Sequence, residues 1–163
     1  MMRRLAALCL LTGLLLPAVA TAGSPIGGSR RIGVGVAAGS ITTGPSVKFY
    51  YGSRRALQTV LGVSLDGIHS VSLDGVWEFG PAMRDFPGRF FVGVGPGVGL
   101  RWVGDGLGGS TTLATISLVA EVGFHFRVVP LELTLGWRPT WSTNQTGRSV
   151  TANYGSGGIR WYF

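Results

Sequence analysis

The sequence predicts an all-β protein: an eight-stranded antiparallel up-and-down transmembrane β-barrel that follows a cleaved signal peptide. Three observations predict it. Apolar and polar residues alternate with period two through nearly all of the chain after residue 30, the apolar set holds one face throughout, and the last strand ends on Trp161-Tyr162-Phe163.

The N-terminal segment reads as a secretory signal. Arg3 and Arg4 precede an apolar run from Leu5 to Leu16, then Pro17 and the small residues Ala18-Val19-Ala20-Thr21-Ala22. The run is short of the roughly 20 apolar residues that a spanning helix needs. Cleavage is expected after Ala22, with Ala20 the alternative, which divides the chain into a signal peptide (1–22), a short lead (23–30) and a barrel (31–163). Cys9 is the only cysteine and lies within the apolar run after Leu8, so a lipid-anchored cysteine, a disulfide and a cysteine metal site are not expected. The remainder, about 140 residues, is enough for one domain.

Strands are expected near 31–39, 46–52, 56–66, 69–79, 89–103, 112–127, 130–141 and 150–163. Breaks rich in turn-forming residues separate them: Ser40 to Pro45, Gly52 to Arg55, Asp66-Gly67, Gly80 to Gly88, Gly104 to Ser110, the Val128 to Pro130 corner, and Ser142 to Arg148. A proline at Pro96 and the pair Gly157-Gly158 are candidate β-bulges. Eight is the smallest common strand number for a closed outer-membrane barrel, and closure removes the sheet edges that invite aggregation.

The two faces differ in kind. Ile32, Val34, Val36, Val47, Phe49, Leu57, Leu61, Val71, Leu73, Trp77, Val92, Val94, Leu118, Val122, Leu133, Leu135, Trp137 and Ile159 belong to the apolar set. The opposite set carries Lys48, Asp66, Asp74, Glu78, Arg101, Glu121, His125, Glu132, Arg138 and Arg160, which places five of the seven acidic residues beside four long basic ones. A soluble barrel turns its apolar face inward and a membrane barrel turns it outward. Glycines separate the charges, among them Gly33, Gly93, Gly97 and Gly123, and the polar face has a single lysine. Small residues beside long ones suit a narrow interior that side chains must fill, so the polar set is expected inside as a lumen network.

Aromatic residues mark two expected membrane interfaces. With both termini in the periplasm, Tyr51, Phe79, Phe90, Phe126, Trp161 and Phe163 fall at the periplasmic level, and Trp102 and Trp141 at the outer one. Arg30, Arg31, Arg54, Arg55, Arg84, Arg89 and Arg127 fall on the periplasmic side, where they would anchor among phosphates. Although the isoelectric point is about 10.8, these arginines are scattered among turns of an exported chain, so no nucleic-acid partner is expected.

The segments Ile32-Gly33-Val34-Gly35, Gly44-Pro45-Ser46-Val47-Lys48-Phe49-Tyr50-Tyr51, Ala56-Leu57-Gln58, Phe91-Val92-Gly93-Val94-Gly95 and Gly157-Gly158-Ile159-Arg160-Trp161-Tyr162-Phe163 resemble a family of small, uncharacterised outer-membrane β-barrels. In plan the chain is similar to the transmembrane domains of the OmpA and OmpX type. The resemblance implies a fold and an outer-membrane location; the expected partners are outer-membrane lipid and the barrel-assembly machinery, engaged through the C-terminal strand ending at Phe163. It implies no catalytic residues and no peptidoglycan-binding domain.

Enzymatic and cofactor chemistry find little support. His69 and Ser70 lie near Asp66 in an outer loop, as an acyl hydrolase would need, but neighbouring strand residues are expected to point to opposite faces. His125 and Glu121 face inward as parts of a polar network rather than as a metal pair. Gly93-Val94-Gly95-Pro96-Gly97 has the glycine content of a phosphate loop but no following helix, so no nucleotide or other cofactor is expected. Asn144-Gln145-Thr146 matches a glycosylation pattern that is uninformative for bacterial export. Short loops rich in Gly, Ser and Thr limit receptor or adhesin roles and name no protein partner. The expected function is a structural or interaction-type outer-membrane barrel with an ion-paired, filled lumen. A small porin-like channel is the alternative, and an acyl hydrolase is third.

Overall fold

A computed structural model describes residues 30–39, 43–64, 67–80, 87–104, 109–126, 128–143 and 149–163. The expected signal peptide, Asp66, Arg84 and Arg127 lie outside the described residues.

Eight strands succeed one another: β1 (Ile32–Gly39), β2 (Gly44–Tyr50), β3 (Arg55–Ser64), β4 (Gly67–Phe79), β5 (Gly88–Gly104), β6 (Ser110–Phe126), β7 (Leu131–Thr143) and β8 (Ser149–Tyr162). Each pairs antiparallel with its neighbour in the chain, and β8 pairs with β1 to close an up-and-down barrel. Runs such as Val92, Val94, Val98 and Leu131, Leu133, Leu135 supply the period-two pattern that suits a pleated sheet. Both the start of β1 and the end of β8 lie at one rim, where Arg31 donates to the Phe163 carbonyl at 3.1 Å and Tyr50 donates to the Arg31 carbonyl at 2.9 Å.

Several boundaries differ from those read in the sequence. The second strand takes in Gly44 and Pro45, because these pair with Ala37 and Val36 of β1. It ends at Tyr50, so Tyr51 lies in the β2–β3 turn and not on the strand. The β5–β6 hairpin pairs as far as Gly104 and Ser110, and β7 continues to Thr143 opposite Ser149.

The bulge expected at Pro96 is absent. Pro96 faces Leu118 in unbroken register between Gly95–Val119 and Gly97–Ser117, with its ring outward, so only its missing ladder donor distinguishes it. Gly157 and Gly158 likewise stay in register with Leu135 and Thr134. Among the described residues the register shifts between Gly62 and Val63. There Gly62 faces Ser70 and Val63 faces Ile68, which leaves His69 as the extra residue on β4.

Polarity is inverted relative to a soluble barrel. Lys48, Asp74, Glu78, Glu121, His125, Glu132, Arg138 and Arg160 are all buried inside. Large apolar residues face out, with Val92 at 50%, Ile116 at 65% and Leu135 at 69% exposure. Interior glycines give the long polar chains their room. A Cβ at Gly33 would lie 2.5 Å from the Tyr162 ring, and one at Gly93 would lie 2.8 Å from Glu121 Cγ and 2.9 Å from Val76 Cγ1.

Gly93→Val is therefore expected to destabilise the barrel by about 1–3 kcal/mol through overpacking. Gly75→Ala, where an added Cβ meets nothing within 4 Å, is expected to be close to neutral. Urea unfolding of the two variants beside the parent checks the contrast.

Candidate functional site

The buried charges form a network that joins opposite walls of the barrel. Lys48, projecting inward from β2, is the chain's only lysine. Its ammonium lies 2.7 Å from Glu78 Oε1, 2.9 Å from Glu121 Oε1 and 3.2 Å from Glu132 Oε2, so one cation meets carboxylates from β4, β6 and β7. Arg160 on β8 takes the other oxygen of Glu132 at 2.6 Å and donates through Nε to Ser46 Oγ at 2.9 Å. Glu132 and Arg160 are direct cross-strand partners, and Glu132 and His125 are another such pair. Glu132 is therefore positioned by the ladder between Arg160 and His125.

Two tyrosines complete the shell. Tyr50 OH donates to Glu78 Oε1 at 2.5 Å, and Tyr162 OH donates to Glu132 Oε2 at 2.8 Å. His125 lies among them, 3.1 Å from Tyr50 OH and 3.3 Å from Glu78 Oε2 through Nε2. The Phe91 ring stacks on His125 at 4.5 Å, and Lys48 Nζ lies 4.9 Å from the Phe91 centroid, within cation–π range. Tyr50, Phe91, His125 and Tyr162 thus fill the cross-section toward the rim that carries the termini, each at or below 2% exposure.

Further from that rim the packing loosens. Gln58 Nε2 reaches Asp74 Oδ2 at 3.4 Å and Glu121 Oε2 at 3.5 Å, and Arg138 from β7 pairs across the lumen with Asp74 of β4. A cavity of about 30 Å³ lies among Gln58, Asp74, Glu121, Arg138 and Arg160, and another of about 10 Å³ lies among Ser70, Ser72, Arg101, Ser117 and Thr140. These volumes match one or two water molecules. Arg101 is half-buried at this end, and the ion pairs among the described residues do not use it.

Glu78, His125 and Glu132 bring donor atoms within 4.8 Å of one another, a spacing that a metal ion could use. Lys48 already bonds Glu78 and Glu132 there, and its ammonium supplies the cationic charge that a metal would bring. The arrangement suits a closed, ion-paired core better than a coordination site.

The His69–Ser70 expectation needs correction. The bulge at His69 breaks the alternation, so the pair does not split across the sheet. A Cβ at Gly62, on the inner face, would meet Ser70 Oγ and lie 3.2 Å from His69 Nε2. Asp66, the acid close to them in sequence, lies outside the described residues.

Among the aromatics, Phe79, Phe90, Trp161 and Phe163 are exposed on the outer face near the termini, and Trp102 and Trp141 are exposed toward the opposite end. Phe126 is half-buried, edge-on to Phe124 at 4.7 Å, and Tyr51 is half-buried in its turn. The sequence reading missed Tyr50, Gln58, Phe91 and Tyr162 as interior residues. Alternation was the available signal, since each sits one position from an outward residue, but aromatic neighbours on both sides masked it at Tyr50 and Tyr162.

Comparison with protein-family models, curated proteins and solved structures finds no match. What the structure supports is a closed eight-stranded antiparallel barrel, without family evidence for an OmpA or OmpX type.

Removing Lys48 leaves three buried carboxylates short of a cation. Lys48→Met is expected to cost about 3–5 kcal/mol in denaturant unfolding, and adding Glu121→Gln in the same chain should recover part of that loss. A fully additive double variant would contradict the network.

Proposed function

We propose that this protein is an integral outer-membrane β-barrel of structural or interaction type, whose lumen is closed by its own side chains and which is not an enzyme. One observation carries the reading: charged residues are buried inside while large apolar residues cover the outside. Water on the outer face would leave Leu135, Trp137, Phe163 and their neighbours exposed across a patch far larger than soluble proteins tolerate. Lipid removes that penalty, and a closed barrel satisfies the backbone groups that a membrane strand must pair internally.

Further features support the placement. Outward aromatics near both ends fit two headgroup levels. The signal-like N-terminus fits export, and the strand ending at Trp161-Tyr162-Phe163 fits engagement of the barrel-assembly machinery. The closed function is favoured over a pore by the burial of Lys48, Tyr50, Phe91, His125 and Tyr162, which pack against one another across the section near the terminal rim.

The folded protein extracted from outer membranes is expected to migrate differently on a gel before and after boiling, and to give no steady conductance in planar bilayers. Arg138→Ala should lower the urea midpoint while bilayers stay silent. Recovery from the soluble periplasm with no mobility shift would overturn the membrane placement, and unitary current steps from the parent protein would replace the sealed barrel with a channel.

A further inference from the structure

The charge outside the lumen is unevenly placed. Arg30, Arg54 and Arg55 are exposed, and Arg31 and Arg89 half-buried, at the rim that carries the termini. At the far rim the described residues include only Arg101. The four acids that the structure describes, Asp74, Glu78, Glu121 and Glu132, are all buried in the interior, and they form ion pairs with Lys48, His125, Arg138 and Arg160. None of those pairs uses Arg30, Arg54 or Arg55.

Arg54 and Arg55 are held by backbone bonds to the barrel, and Arg30 adjoins the bonded Arg31. Backbone bonds run from Tyr51 to the Arg55 carbonyl at 3.1 Å and from Glu78 to the Arg54 carbonyl at 2.8 Å, and Arg31 donates to Phe163. Arg55 is the cross-strand partner of Trp77, Arg54 lies beside the end of β4 at Phe79, and Arg30 is one residue from the Phe163 pairing. Each exposed arginine therefore lies level with, or within about two residues (roughly 7 Å) of, an outward aromatic along the strand direction. Aromatic rings prefer the headgroup level of a bilayer, which puts the guanidinium groups at the depth of lipid phosphates. The residue type fits as well, since the rim uses arginine, whose planar fork binds phosphate oxygens bidentately, and the one lysine is spent inside.

We propose that this rim is an arginine collar that selects anionic phospholipid headgroups around the barrel. The proposal depends on the membrane placement argued above. It gives the rim a partner of defined chemistry: a phosphodiester headgroup with net negative charge, held by Arg30, Arg54 and Arg55 beside Trp77, Phe79 and Phe163. The collar would bias which lipid surrounds this end and hold the barrel at a fixed depth.

The test uses the folded protein in phosphatidylcholine vesicles that contain either brominated phosphatidylglycerol or brominated phosphatidylcholine at equal fraction, with quenching of tryptophan fluorescence as the readout. At low salt the parent should show a preference for the anionic lipid of roughly fivefold per arginine engaged. The preference should fall to near unity in the triple variant R30Q/R54Q/R55Q and should shrink in high salt. Heat-dependent gel migration verifies that the variant is folded. Equal quenching of the parent by both lipids overturns the collar, even where the arginines retain a soluble acidic polypeptide. So does a preference that persists in the triple variant. Loss of preference on adding inorganic phosphate, but not chloride at the same ionic strength, would replace lipid selection by a site for free phosphate. Absence of quenching by either brominated lipid removes the membrane placement itself and is thereby distinguished from failure of the collar alone.

Discussion

One ammonium group sets the terms for the rest of this barrel. Lys48 lies where carboxylates from three other strands converge, and burial of any of these four groups alone would carry a desolvation penalty of several kcal/mol. Together they are tolerable only if their geometry is close and their remaining lone pairs are satisfied. Tyr50, Tyr162, Arg160 and His125 supply those bonds, so the network is a single unit whose members depend on one another. It also fixes the barrel's cross-section, because moving β2 away from β6 or β7 would open the Lys48 contacts first. The interior glycines follow from this constraint, since a side chain at Gly93 would occupy the space that Glu121 needs to reach Lys48.

A polar interior dictates the outer surface. Strand residues alternate between faces, so once the charges are committed inward the apolar positions are committed outward, and no local rearrangement can bury both. A slip of one residue would bring Val47 and Phe49 inside and put Lys48 on the apolar surface. The register is accordingly unbroken over nearly all the ladders, including at Pro96, where a lost donor is tolerated and a displaced alternation would not be. The shift at Gly62–Val63 lies near the end of its hairpin, past the last member of the ion network, where such a change disturbs no buried charge.

Most of the fold was legible in the sequence because period-two alternation is a local property. The strand count, the antiparallel order and the inward set that includes Lys48, Asp74, Glu78, Glu121, His125, Glu132, Arg138 and Arg160 all follow from counting by twos. Partner choice was not legible. That Lys48 meets Glu121 and Glu132, more than seventy positions away, depends on the register accumulated around the barrel, which no local pattern contains. Interior aromatics were hidden for a different reason. In Phe49-Tyr50-Tyr51 and Trp161-Tyr162-Phe163 both faces carry rings, and the inward member is distinguished by the bond its hydroxyl makes to a carboxylate, which the sequence does not record. The His69 bulge was invisible because a bulge is a mismatch between two strands and neither strand alone records it.

The network is not centred along the barrel, and this asymmetry bears on function more than its composition does. Toward the terminal rim, large rings and a multiply bonded lysine fill the section. Toward the opposite end, Ser70, Ser72, Ser117 and Thr140 line small polar cavities, and the remaining cross-lumen pair is Arg138 with Asp74. Hydroxyls and a single ion pair can rearrange around water at modest cost, whereas the Lys48 shell cannot lose one member without stranding another. The closest interior packing therefore lies at the end where the exposed Arg30, Arg54 and Arg55 also gather. Close packing and the arginine rim belong to one structural end, and the other end combines a hydroxyl-rich interior with the outward Trp102 and Trp141. That division is what a protein would need if its fixed anchorage were at one membrane surface and its adaptable surface at the other.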